Sequence, residues 1–340
     1  MSATQTAEIA EPPTPSQSTP APFSLSGKGY RIKLLELYFR LIYGLLGAVD
    51  NIFGVIGIGF IASIITWNDM LRRNRDFPQF VRLRNALGDK FWKNSVPFYH
   101  YYTMVRNWHE GAAVAVLYHR LGFARWEKRF RVIGPDPRAH PEWGKRPVIF
   151  TFLHTGPFGL LCYWLRAQRI PVASLAGGLP LIVDNQYYHN LIAIGDQRFG
   201  LENIPYVFQR HGALRDSIRF LTPGHALLMA LDGGKLGEES ERCDVGGFPI
   251  LLRRGAVRLA AQTNALLIPI SVRRTSLFRF EIHFRAPVPD ALISKHDATK
   301  GNQHIISALW PDIKDNPTDL SWTTLEELAP SLRASRIGWP

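Results

Sequence analysis

At 340 residues, 46% of them hydrophobic, the chain can bury a sizeable core, and this excludes an intrinsically disordered protein. Forty Lys and Arg against 28 Asp and Glu give a net charge of +12, which suits anionic partners: lipid headgroups, nucleic acid or an acidic carrier protein. Two cysteines, Cys162 and Cys243, exclude a disulfide framework or a cysteine zinc cluster and fit a reducing compartment.

Residues 1–27 are rich in Pro, Thr, Ser and Ala and read as a disordered tail, without the basic start and apolar stretch of a secretory signal. Residues 28–127 are expected to form a membrane-associated helical region. Within it, Leu41 to Trp67 is strongly apolar and long enough, at about 1.5 Å per residue, for a bilayer core of about 30 Å. Asp50 and Asn51 interrupt it. Three readings stay open: a tilted span with Asp50 buried or protonated, a shallow hairpin turning at Asp50-Asn51, or a buried core helix. Arg31, Lys33 and Arg40 precede the segment and Arg72, Arg73 and Arg75 follow it, so charge bias assigns no orientation. Further on, Phe98, Tyr102, Val105 and Trp108 recur at near-helical spacing, as do Val114, Leu117 and Leu121.

From residue 128 to 322 the pattern becomes that of an α/β domain. Short β-type runs at 130–134, 148–153, 171–176, 204–208, 226–231, 266–272 and 278–284 alternate with helical candidates at 157–168, 212–222 and 254–264. This predicts a mostly parallel mixed sheet flanked by helices, with an antiparallel edge because the last two strands fall close together. Residues 323–340 read as a C-terminal tail.

The chemistry points to VIFTFLHTGPFGLL. A buried strand ends at Leu153 and His154 follows at its carboxyl end, where α/β sheets bind ligands. Gly156 permits a tight turn, and Pro157 suits a first helical position. Imidazole has the pKa of a general base near neutrality, but a histidine after a strand also serves as a hydrogen-bonded structural residue. Arg253 and Arg254 precede a helix start at Gly255, and Arg258 follows one turn later. They form either an anion site or a solvated basic face. No P-loop, dinucleotide fingerprint, metal cluster or nucleic-acid recognition pattern is present.

In order and spacing these segments resemble the glycerolipid acyltransferase superfamily, and within it the late lipid A (lauroyl/myristoyl) branch. The strand with His154 resembles the H-x4-D/E block. GDQRFG (195–200), with Arg198, resembles the branch's Arg-x-x-x-Gly segment. RHGALRDSIRFLTPGHALLMALDGG (210–234) resembles its helix, glycine turn and apolar strand. GGFPILLRRGAVRLAAQTNALLIPISVRR (246–274) resembles its Phe-Gly-x-Pro loop, here with Gly247 and Pro249, and the helix and strand after it. NPTDLSW (316–322) resembles its Asn-Pro-x-x-x-x-Trp. The likeness runs from about residue 35 to about 322.

The resemblance implies transfer of a fatty acyl chain from a thioester, on acyl carrier protein or coenzyme A, to a hydroxyl or amine of a lipid-like acceptor. The site would work at the cytoplasmic face of the inner membrane. His154 would act as base, without metal or cofactor and without an acyl-enzyme. Gly156, Arg198, Gly233, Gly247, Pro249, Arg253 and Arg254 would bind substrate, and amides near Gly156 or nearby arginines would hold the oxyanion.

One position departs from the family pattern. Counting from His154, the family's acid would fall at Gly159, which has no side chain. A carboxylate from elsewhere replaces it, or His154 acts alone on a reactive substrate, or the chain keeps only binding. The candidate replacement is Asp232, at the end of ALLMAL and before Gly233-Gly234; its alternative role is to close its own turn. Glu238, Glu239 and Glu241 form an acidic loop beside it. The segment VASLAGGLPLIVDNQ lacks the branch's basic residues, so the acceptor or donor is expected to differ from the usual lipid A precursor.

Overall fold

The computed structural model describes residues 62–71, 76–92, 95–120, 123–176, 207–208, 213–232, 240–276 and 278–329, with Gln197 and a few positions of an N-terminal helix between 37 and 60. Its centre is a seven-stranded sheet in the order β1-β9-β8-β2-β5-β3-β4. The strands are β1 Phe130–Ile133, β2 Val148–Phe152, β3 Val172–Ala176, β4 Val207–Phe208, β5 Ala226–Ala230, β8 Leu266–Ser276 and β9 Arg279–Phe284. β8, β2, β5, β3 and β4 run parallel. β8 and β9 pair antiparallel as expected, but β9 is not the edge strand: β1 lies outside it and parallel to it. The fold is therefore α/β with a mixed, mostly parallel sheet.

Alternation along β2 sends Phe150 and Phe152 to one face and Ile149 and Leu153 to the other. α4 (Leu160–Ala167) packs on the first face, burying Leu160, Leu161, Trp164 and Leu165. α6 (Gly255–Thr263), α7 (Thr299–Asp315) and α8 (Trp322–Leu328) cover the second through Val257, Leu259, Ile305, Ile306, Leu309, Leu325 and Leu328. Before the sheet come α1 (Phe77–Asn85), α2 (Pro97–Arg120) and α3 (Phe123–Glu127), and α5 (Ala213–Phe220) precedes β5.

Four expectations are corrected. α4 starts at Leu160 and not at Pro157; Pro157 lies in the preceding turn, where its carbonyl accepts from the Leu160 N–H at 2.9 Å. The stretch read as acidic loop and Phe-Gly-x-Pro loop contains a hairpin, β6 (Ser240–Val245) and β7 (Phe248–Arg253), turning at Gly246-Gly247. α7 was not anticipated. A boundary at 322 would cut into α8, whose Thr324, Leu325, Glu326, Glu327 and Leu328 are buried, so the folded unit runs on to Ala329.

The N-terminal apolar segment is described mainly at 62–71, a helix. Ala62, Thr66 and Met70 face inward, while Phe60, Ile64, Trp67 and Leu71 are exposed. This part is thus neither a fully buried core helix nor a polar-faced surface helix. Asp50 lies outside the described residues, and no helix among the described residues is long and apolar enough to cross a membrane.

Candidate active site

The sheet presents His154 and Asp232 at the carboxyl ends of adjacent parallel strands, β2 and β5. Beyond the paired strands, Leu231 N–H donates to Phe152 O at 2.9 Å, which draws the two chain ends together. Asp232 then lies beneath the His154 loop. The His154 N–H donates to both carboxylate oxygens, at 3.0 and 3.1 Å, and the ring Nδ1 lies 2.8 Å from Oδ1.

The Asp232 side chain is fully buried. Burial pushes its carboxyl up, but the neighbouring His154 charge and the hydrogen bonds from His154 and Thr324 outweigh burial and hold it below the usual carboxylate range. An ionised carboxylate only accepts, so the Nδ1 that faces it carries a proton, and Nε2 is the ring nitrogen outside the pair. The ring is partly exposed, at 27%, with Phe158 nearly perpendicular to it at 4.5 Å between centroids and Phe152 at 5.7 Å. The imidazole thus has an apolar wall at its side.

Gly156 is required by its surroundings. Its φ is +55°, and a Cβ there would lie 2.6 Å from Val272 O. Its amide donates to Asp319 O at 2.7 Å, and Thr155 N–H donates to Leu153 O at 2.6 Å. The three amides of residues 154–156 are therefore occupied within the fold.

The segment 319–324 straps this loop. Thr155 bridges Leu320, Ser321 N–H donates to His154 O at 3.1 Å, and His100 Nε2 reaches Leu320 O at 3.2 Å from α2. Burial drives the His100 pKa down to about 3, so the ring stays neutral and donates to that carbonyl. The Ser321 side chain caps α8 by accepting from Thr324 N–H at 3.2 Å, which sets Thr324 in the first turn. Thr324 Oγ1 lies 2.5 Å from Asp232 Oδ2. Sequence reasoning missed this residue because 323–340 read as tail; the signal was Ser321, a capping residue ahead of the apolar Leu325 and Leu328.

Of the other expected residues, Arg253 is brought close, since its N–H donates to Leu231 O at 2.8 Å, next to Asp232. The buried Asn302 holds the Arg253 carbonyl from α7, at 3.2 Å. Arg254 pairs with Glu241 at 2.7 Å, so Glu241 is an ion-pair partner on β6 and not a loop residue. Gly247 and Pro249 sit at the turn end of the hairpin, about 20 and about 14 Å along the chain from Arg253 at ~3.4 Å per residue. They are not part of the His154 cluster. Gly246 instead lies against Trp310, where a Cβ would fall 2.4 Å from the indole. Arg198, Gly233, Glu238 and Glu239 lie outside the described residues. Among the described residues, no three His, Cys, Asp or Glu side chains group to hold a metal ion.

No family model matches the chain, and no curated protein does.

Proposed function

We propose that the chain is an acyltransferase that moves a fatty acyl group from a thioester, on acyl carrier protein or coenzyme A, to a hydroxyl or amine of a lipid-like acceptor at a membrane surface. One observation carries this reading: His154 offers Nε2 at the sheet's carboxyl edge while its Nδ1 is held by the buried Asp232. Asp232 supplies the carboxylate that Gly159 does not, from the neighbouring strand. This favours the replacement reading over a lone histidine.

In this reading Nε2 takes the proton as the acceptor oxygen or nitrogen attacks the thioester carbonyl. The tetrahedral intermediate collapses, the C–S bond breaks, and the imidazolium returns the proton to the departing thiolate. Asp232 stabilises the imidazolium between the two steps. The oxyanion would be held by backbone amides near Gly156 or by a nearby arginine, for which Arg253 is a candidate because its backbone pairs with Leu231 next to Asp232.

Three features support a membrane setting: the exposed Phe60, Ile64, Trp67 and Leu71, the basic residues that follow them, and the charge of +12. The sequence resemblance points to the same chemistry.

The second reading, a lipid- or carrier-binding protein without turnover, rests on Gly159. Lipid mass spectrometry of cells expressing wild type or His154→Ala tests the choice. Acylated species present with the wild type and missing with the variant support the enzyme. Identical lipid and metabolite profiles with both count against it.

A further inference from the structure

We infer that Thr324 is a positioning residue, the third member of a His154–Asp232–Thr324 relay delivered by the C-terminal helix. This role rests on the general-base reading of His154.

The Thr324 hydroxyl has one proton and two acceptors in reach, Asp232 Oδ2 at 2.5 Å and His154 O at 3.0 Å. The His154 carbonyl already accepts from Ser321 N–H at 3.1 Å, and Asp232 is an anion, so the proton goes to the carboxylate. Each carboxylate oxygen is then assigned. Oδ1 faces the ring Nδ1 and Oδ2 faces the hydroxyl, with the His154 N–H shared between them.

Such a carboxylate cannot rotate about its Cβ–Cγ bond without losing a donor. The imidazole it holds is fixed in one tautomer and one orientation, with Nε2 directed outward. Thr324 itself is fully buried, so it does not touch substrate and acts only through Asp232. Its own place is set by the Ser321 cap. A hydroxyl from α8 thus does for Asp232 what Asp232 does for His154. The device is absent until the C-terminal segment has docked.

The test compares Thr324→Val, which keeps the shape and removes the hydroxyl, with Thr324→Ser, which restores it. Two readouts are taken: steady-state kinetics with an acyl-coenzyme A donor, and the His154 Nδ1 proton in 15N-histidine-labelled protein, assigned by its absence in His154→Gln. Thr324→Val is expected to lower kcat at least ~30-fold with KM within about twofold, and to lose the slowly exchanging Nδ1 proton to solvent. Thr324→Ser is expected to recover both within about threefold of wild type.

Wild-type kcat and an unchanged Nδ1 proton in Thr324→Val would overturn the inference, as would the lack of any sheltered Nδ1 proton in the wild type. If the wild type turns over no donor, the acyl-transfer reading fails, and the Nδ1 proton still decides for or against Thr324. If Thr324→Val does not fold, Thr324→Ala is measured in its place against the same outcomes.

Discussion

His154 Nδ1 lies 2.8 Å from Asp232 Oδ1, although 78 positions separate the two residues in the chain. Parallel pairing of β2 with β5 closes that separation, because it brings two strand ends level at one edge of the sheet. Removing the charge while keeping the shape isolates its contribution. Asp232→Asn is expected to leave the secondary structure intact and to lower kcat by about 10³- to 10⁴-fold, since an amide no longer enforces the Nδ1–H tautomer. Circular dichroism and thiol-release kinetics on one preparation check both halves.

Gly156 carries no chemistry in this account but admits no side chain. Gly156→Ala places a Cβ 2.6 Å from Val272 O at a φ of +55°. The expected cost is about 1–3 kcal/mol, from backbone strain and the clash together. It is to be read as a lower urea midpoint with an unchanged slope.

The pH dependence of stability follows from His100. Its folded pKa of about 3 lies below the unfolded value of about 6.5, so the neutral ring belongs to the fold. Above pH ~6.5 both states are neutral and this group contributes no pH dependence. Below it the unfolded chain takes the proton and the folded chain does not. Stability is then expected to fall by up to ~1.4 kcal/mol per pH unit until pH approaches 3. His100→Gln should flatten that slope while losing some stability at pH 8. Urea unfolding at several pH values gives the comparison. Because His100 holds Leu320 O, acid loosening should also reach the strap over His154.

Much of this fold was legible because hydrophobic period reports burial. VIFTF, ALLMA and LLIPISV are apolar runs bounded by turn residues, and each became a central strand. The hairpin β6–β7 was not legible: SERCDV is half charged, because only alternate residues such as Cys243 and Val245 face the core. His154 was visible from its place after a strand, and Asp232 for the same reason. Their mutual distance depends on strand order, which periodicity does not encode. Thr324 was hidden by the polar look of TTLEEL, whose Glu326 is buried with its carboxylate on Trp322 Nε1 at 2.8 Å.

The C-terminal segment offers a direct contrast. A chain ending after residue 330 keeps α8 and should retain activity and stability. A chain ending at residue 315 loses Asp319, Leu320, Ser321 and Thr324 together, and with them the contacts to Gly156, Thr155, His154 and Asp232. It should fold poorly or, if soluble, show kcat at or below that of Thr324→Val.

The exposed apolar face should act in attachment and not in chemistry. Replacing Phe60, Ile64 and Leu71 together by Ser is expected to reduce co-sedimentation with anionic vesicles at least ~10-fold. Turnover of a water-soluble short-chain acyl donor and acceptor should be unaffected. Unchanged co-sedimentation would assign this face to another contact.

The most direct measurement is thiol release from acyl-carrier and acyl-coenzyme A donors, with a mixed lipid acceptor pool, by wild type and by His154→Ala. The Asp232 carboxylate keeps Thr324 as a donor in the variant, and the backbone N–H of residue 154 remains, so the variant should stay folded. Thiol release by the wild type that drops at least ~10³-fold in folded His154→Ala is the expected result. Equal release by the two proteins, fast or slow, would contradict a catalytic imidazole at this edge of the sheet.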